Sequence, residues 1–278
     1  MPTITLIGAG NVASHIGPAL ATAGYAFKAV VSRSVSSAQV LAEKLSTTAI
    51  VNEPSVSLPS ADIYLYCGSD DALPQLARHI AADHPEAVHI HTSGSTPADV
   101  FKPFVQRYGV LYPMQTFTKG APLNFRDIPC FVEGSDPATA DVIMQMARRV
   151  SDHVTPLGFE ARRGLHLAAV WACNFVNHCY HLAADIVNRH PELSFDMLLP
   201  LIDETARKVH SLSPRQAQTG PAVRYDSRII NMQRDRLTST PLTRDIYDMM
   251  SRSIYAHTVT EQNQPQTPPQ APSSQSHD

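Results

Sequence analysis

The chain has 278 residues, a length that suggests about two domains. With 22 Lys and Arg against 25 Asp and Glu it carries a net charge of −3, and no basic block occurs, so nucleic acid and anionic membranes are poor partners. Four cysteines without a CxxC pair give no metal-finger spacing and fit a reducing, cytoplasmic compartment.

The run Thr3 to Ile7 is short, apolar and β-branched, which predicts a buried parallel strand. Gly8-Ala9-Gly10 follows, and Asn11-Val12-Ala13 opens a predicted helix that reaches Ala23. This strand–turn–helix context is the one in which a glycine pattern grips a dinucleotide. Gly8 permits the tight turn, Gly10 lets a pyrophosphate approach the backbone, and Ala13 takes the helix-packing position. The phosphates would lie on the free N–H groups of the helix start. The alternative is a tight βα turn without a ligand. The first 27 residues carry no Asp, Glu, Lys or Arg, but the absent basic region and the interrupting glycines do not read as a signal peptide.

Phe27 to Val31 predicts the second strand, which ends in Ser32-Arg33-Ser34. An NAD site usually places an acid about 20 residues beyond the glycines, to hold the ribose hydroxyls. Here Arg33 stands there between two hydroxyls, a planar fork suited to a 2′-phosphate, so NADP is favoured over NAD; the alternative is a solvated loop Arg. A helix is expected from Ser36 to Leu45, and strands at Thr48 to Val51, Asp62 to Cys67 and Val88 to His91. Asp71 is expected to cap the helix after Gly68. The last of these strands ends in HTSGS, where Ser93, Gly94 and Ser95 would offer N–H groups and hydroxyls to a substrate carboxylate or carbonyl. A capping turn is the equal alternative. His89 and His91 share one side of their strand with no third ligand nearby, so no metal is expected.

Val110 to Tyr112 leads into a polar-aromatic loop, Pro113 to Phe117. A strand at Pro129 to Glu133, a helix at Asp136 to Val150 and a last strand at His153 to Pro156 complete an α/β pattern. Strands alternating with helices predict a doubly wound parallel sheet. From Glu160 the pattern turns wholly helical. Arg162 to Asn188 predicts one long helix, on which His166, Asn174, Asn177, His178 and His181 fall within an arc of about 120° at 100° per residue. The rest of its surface is apolar, which predicts burial on most sides. The partners of its polar arc are a substrate and cofactor, a second subunit, or other core polar groups. Its charge-free stretch, Leu165 to Ala184, is too polar for a membrane span. Ser194 to Leu212 predicts a helix kinked at Pro200, with Glu204 and Lys208 as a surface ion pair. Arg224 and Asp226 stand at a further helix start, and Leu242 to Tyr255 closes the fold. From Glu261 onward no Lys, Arg, Leu, Ile or Val occurs, which predicts disorder. The layout is therefore a nucleotide-binding domain over 1–156, a helical domain over 157–258 and a tail over 259–278.

GAGNVA, HTSGS, YPMQTF, HLAAVWACNFVNH, PLIDETARKV and QTGPAVRYD together resemble the Rossmann-like proteins whose C-terminal region is domain of unknown function 2520. The resemblance runs from Thr3 to Tyr255. It implies a two-domain, NADP-dependent oxidoreductase that is a homodimer through its helical domain. More distantly the chain is similar to pyrroline-5-carboxylate reductases and β-hydroxyacid dehydrogenases. The latter carry a catalytic Lys four residues before an Asn. Asn174 matches that Asn, but Val170 stands at the Lys position, and His166, one turn earlier, is the nearest substitute.

The expectation is hydride transfer between NADPH and a small carbonyl or imine. His166 would be the general acid. Asn174 would hydrogen-bond the reacting atom, and Ser93, Ser95 and Arg224 would anchor the substrate. The rival expectations are a nucleotide-binding sensor without turnover and a helical dimerisation scaffold whose Rossmann half is empty.

Overall fold

Alternate residues of β1 (Thr3–Ile7) point to opposite faces of a sheet, so Ile4 and Leu6 enter one apolar layer and Ile7 enters the other. All three are buried, and both faces of the sheet must therefore be covered. In the computed structural model, residues 1–51 and 57–262 are described. The chain divides into two compact units, Met1–Val176 and a helical one from Asn177.

The first unit holds an eight-stranded sheet of order β3-β2-β1-β4-β5-β6-β7-β8. Its strands are β1, β2 (Ala26–Ser32), β3 (Thr48–Val51), β4 (Ile63–Tyr66), β5 (Val88–His91), β6 (Tyr108–Pro113), β7 (Cys130–Gly134) and β8 (Val154–Pro156). Helices α1 (Ala13–Thr22), α2 (Val35–Lys44) and α4 (Pro137–Arg148) cover one face through Ile16, Leu20, Leu41, Ile143 and Met146. On the other face, the short helix α3 (Leu73–Leu76) continues as a π turn over Ala77–Ala81 and packs Leu73 and Ile80 beside Phe101. Each fully buried Leu or Ile contributes about 1.5–3 kcal/mol.

The sheet is mostly parallel, as expected of a doubly wound fold, with one antiparallel pairing. β7 pairs antiparallel with β6, with Tyr112 opposite Phe131, and β8 then runs parallel to β7. The physical reason is the connection between β6 and β7, which holds only a short 3₁₀ turn at Phe125–Asp127 and so supplies no crossover helix. Asp136 does cap α4, accepting from Thr139 N–H at 2.9 Å. Asp71 caps nothing: Ser69 stands at the N-cap of a 3₁₀ turn, Asp70–Ala72, without a side-chain bond.

The long helix forms as α5 (Phe159–Ala169), a π turn over Val170–Phe175 and α6 (Val176–Val187). It is not buried on most sides. Leu167 is 60% exposed, Trp171 59% and Phe175 46%. The π turn also breaks the 100° arithmetic, since its wider winding rotates every later residue relative to His166.

Within the second unit, α7 (Leu199–Lys208) starts, rather than kinks, at Pro200, and Glu204 pairs with Arg207 at 2.8 Å instead of with Lys208. Helices α8 (Pro214–Ala217), α9 (Ser227–Asp235) and α10 (Pro241–Gln262) follow, with Asp226 capping α9. Among the described residues of this unit, the buried apolar ones are Ala222, Ile230 and Leu237, while Leu201, Leu242 and Met249 are exposed. Helix α10 runs past the expected end at Tyr255 into the start of the expected tail, whose remainder from residue 263 lies outside the described residues. No helix among the described residues is long and apolar enough to cross a membrane.

Candidate active site

The glycine bend is dictated by backbone geometry. Gly8 has φ +107°, its N–H donates to the Val31 carbonyl at 2.7 Å, and a Cβ there would lie 2.8 Å from the Cys67 carbonyl group. Only glycine fits. At Gly10 a Cβ would meet only the Cys67 carbonyl oxygen, at 4.0 Å, so the space in front of it is open. The chain turns into α1 with Asn11 and Val12 at its entry, and the first N–H groups of such a helix lack internal acceptors.

A cavity of about 690 Å³ opens on this bend, lined by Gly8, Ala9, Gly10, Ser32, Arg33, Ser37, Gly68, Ser69 and Arg78 among others. Asn11, Val12 and Ser34 do not line it. Ser34 instead caps α2, accepting from Ser37 N–H, and its own N–H donates to Ser32 Oγ at 3.2 Å. Arg33 is exposed at the rim. Arg78, on the π turn after α3, adds a second cation that the sequence reading missed. The open floor at Gly10 and two guanidinium groups fit a phosphorylated dinucleotide. A cleft of about 750 Å³ beyond α1, lined by Lys44, Lys119 and Arg149, contains none of the predicted site residues. The ends of α2 and α4 lie there, where cations offset the negative helix C-termini.

The loop after β5 is built from its own hydroxyls. Ser93 Oγ accepts from the N–H groups of Ser95 (3.1 Å) and Thr96 (2.9 Å) and donates to Thr96 Oγ1. Ser95 Oγ donates to the Asp70 carboxylate, on the loop after β4. These hydroxyls are thus engaged within the protein. Gly94 is buried between them, and a Cβ there would lie 2.6 Å from His166 Nδ1 and 2.9 Å from Tyr112 Cζ. The loop, the end of β6 and α5 converge on this glycine.

His166, partly buried on α5, shares a 3.0 Å hydrogen bond between Nδ1 and Tyr112 Oη, with the rings edge-on at 75°. Burial raises the Tyr112 pKa first; the charges of Asp70 and Cys173 add to this, and Arg162 opposes it. The phenol is therefore protonated at neutral pH and can donate. Tyr112 ends a buried strand at the carboxyl rim, as do Gly8 and Gly94; that placement, within YPMQTF, is the signal that could have found it. Arg162, four residues before His166, is wholly buried, with one amino group on Glu133 and the other on the Thr96 carbonyl at 2.7 Å.

His89 and His91 serve the core. Tyr66 Oη and the His84 carbonyl engage the His89 ring, and burial lowers its pKa to about 4. His91 Nδ1 accepts from Ser93 N–H at 3.1 Å, and burial, with Arg162 adding, lowers its pKa to about 3. Asn174 lies in the π turn, exposed, with no side-chain hydrogen bond among the described residues. Asn177, His178 and His181 belong to the second unit, where His181 faces Asp185 at 3.7 Å. Arg224 is exposed in the turn before α9, also in the second unit.

The sheet order and the glycine bend define a Rossmann-like domain. Sequence models match on both sides of the chain: the Rossmann-like domain over residues 2–115, and the domain of unknown function 2520 over residues 128–254. A crystal structure from Bacteroides fragilis, described as a "putative NADP oxidoreductase", is 41% identical, with 92% of this chain and 98% of that one covered at a TM-score of 0.87. The chain belongs to this family of Rossmann-like proteins carrying domain 2520. An imine reductase from Myxococcus stipitatus in complex with NADP⁺ shares the fold at 15% identity, TM-score 0.60, covering 94% and 95% of the two chains. So does a 1-pyrroline-5-carboxylate reductase from Streptococcus pyogenes, at 11% identity, TM-score 0.57, covering 92% and 98%. No curated protein matches the chain.

Proposed function

We propose that the protein is an NADP-dependent oxidoreductase that transfers a hydride between its cofactor and a small carbonyl or imine. The observation that carries this reading is the Tyr112–His166 pair seated on Gly94, at the same carboxyl rim of the sheet as the Gly8–Gly10 bend. The likeness to an NADP oxidoreductase at 41% identity supports the reaction class.

When bound, NADPH supplies the hydride; the chain must hold it, orient the acceptor and deliver one proton. Gly8, Ala9 and Gly10 would bind the pyrophosphate, and Arg33, with Ser32 and Arg78, the 2′-phosphate. His166 Nε2 has no hydrogen-bond partner among the described residues and would hand its proton to the reduced oxygen or nitrogen. Tyr112 would donate to Nδ1 and so orient the ring, passing its proton to Nδ1 as Nε2 gives one up, and the phenolate would then be reprotonated from water. The Ser93–Ser95 turn would contribute through the Gly94 N–H, because its hydroxyls and the N–H groups of Ser93 and Ser95 are taken. Asn174 and Arg224 remain candidates to orient the substrate. The domain division at residue 156 and a cytoplasmic homodimer belong to the same reading. The exposed Leu167, Trp171 and Phe175 of the first unit support a second copy as the cover.

The test is NADPH binding followed by turnover against aldehydes, keto acids and cyclic imines such as 2-methyl-1-pyrroline. Oxidation of NADPH with any of these supports the proposal. Tight binding without oxidation across the panel turns the reading to a nucleotide sensor, and no binding at all leaves the Rossmann half empty.

A further inference from the structure

A guanidinium with no exposed surface needs an account, because a buried ion pair is weak evidence for stability in itself. Arg162 joins three elements: its own helix α5, Glu133 on β7 and the Thr96 carbonyl in the loop that carries Gly94. Its Nε has no partner among the described residues, and the Phe159 ring centre lies 5.5 Å from its guanidinium carbon. The distances along the chain agree with a ruler. Glu133 lies opposite Val110, two residues before Tyr112 on β6, and on the same side of the sheet. Two strand residues advance about 6.6 Å, and the four helix residues from Arg162 to His166 advance about 6 Å. Anchoring Arg162 at the level of Glu133 therefore sets His166 at the level of Tyr112.

We infer that Arg162 is the positioning residue of the Tyr112–His166 pair: by bridging Glu133 and the Thr96 carbonyl it fixes where α5 delivers the imidazole to Gly94. The role deepens the hydride-transfer reading, which its kinetic consequence presumes; its structural consequence does not.

The experiment pairs Arg162→Met with Glu133→Gln, so that no lone charge is left buried. Side-chain ¹⁵N spectra, with His166 assigned by a His166→Asn comparison, and NADPH-dependent turnover of 2-methyl-1-pyrroline are measured beside thermal melting. In the wild type His166 shows one hydrogen-bonded tautomer. In the folded double variant its signals move to those of free histidine, and kcat falls about 10²-fold, the cost of a misplacement near 1 Å, while KM for NADPH stays within about twofold. Arg162→Lys, which keeps the charge and reaches one acceptor, falls between the two, and it carries the same readouts should the double variant not fold. Unchanged His166 signals in a folded variant overturn the inference. Absence of turnover in the wild type overturns the oxidoreductase reading alone, and the spectra still decide the role of Arg162.

Discussion

The Tyr112 hydroxyl lies 3.0 Å from His166 Nδ1, and both rings rest on the bare Cα of Gly94. One ring comes from the end of a strand and the other from a helix, and they meet because the residue between them has no side chain. A histidine held through one nitrogen by a buried phenol, with its other nitrogen unbonded among the described residues, is the arrangement a proton donor needs.

His166→Ala should lower kcat by 10²–10⁴, the usual contribution of a general acid. Tyr112→Phe, which leaves the imidazole but removes its partner, should lose about tenfold. Affinity for NADPH should be unchanged in both, by fluorescence titration. A loss under about tenfold in His166→Ala rejects the donor assignment.

Gly94→Ala should displace both rings, since the new Cβ would stand 2.6 Å from Nδ1. We expect about 1–3 kcal/mol of destabilisation together with a loss of turnover. Gly120→Ala is the contrast: φ is +86° there but nothing lies within 4 Å, so stability should fall by about 1 kcal/mol with turnover intact. Denaturant melts and initial rates on both variants check this.

Arg33→Ala should weaken NADPH by about 10–100-fold, the worth of a charge-assisted hydrogen bond of 1.5–3 kcal/mol, and leave NADH within about twofold. Arg78→Ala reports whether the second cation shares the same phosphate. Equal losses for the two cofactors in Arg33→Ala would show that it does not read the 2′-phosphate.

Acid should destabilise the protein well above the carboxylate range. Burial pushes His89 down to about 4 and His91 to about 3 in the folded chain, against an ordinary imidazole value of 6.5. The unfolded chain therefore takes up protons below pH 6.5 that the folded one refuses. Their contribution is complete above that pH and is lost as pH falls, by roughly 2–3 kcal/mol for each ring at pH 4.5. Melting temperatures from pH 8 to 4.5 should drop accordingly, and less so in His89→Gln. A flat profile would contradict the burial of both rings.

Trp171→Glu should convert a dimer to monomers in sedimentation velocity, because it puts a charge on a face whose Trp171 and Phe175 rings stack edge-on at 4.8 Å in the open. A wild type that is monomeric at micromolar concentration would rule out the second copy as cover.

The parallel half of the sheet was legible because β-branched runs such as Thr3 to Ile7 and Val88 to His91 announce themselves, and because Gly8 and Gly10 sit at fingerprint spacing after the first. The reversal at β7 was not, since strand direction depends on whether a connection contains a helix, and the stretch from Met114 to Pro129 has no periodicity to decide it. His166 could be singled out as a titratable group on an apolar helix. Tyr112 carried only its place at a predicted strand end, and Arg162 carried no signal at all, because one guanidinium among several becomes special only through what folds against it. The helical arc failed for a local reason: the π turn from Val170 to Phe175 changes the winding in mid-helix.

The reversed strand pair has a directional consequence. Because β7 and β8 run against the other six, the chain leaves Pro156 at the rim remote from the glycine bend. Helix α5 must then climb the flank of the sheet, arriving at the crevice with its third turn rather than departing with its first. A donor in such a place has about two helical turns of anchorage beneath it, and an insertion or deletion between Arg162 and His166, rather than one before Phe159, would turn it away from the crevice.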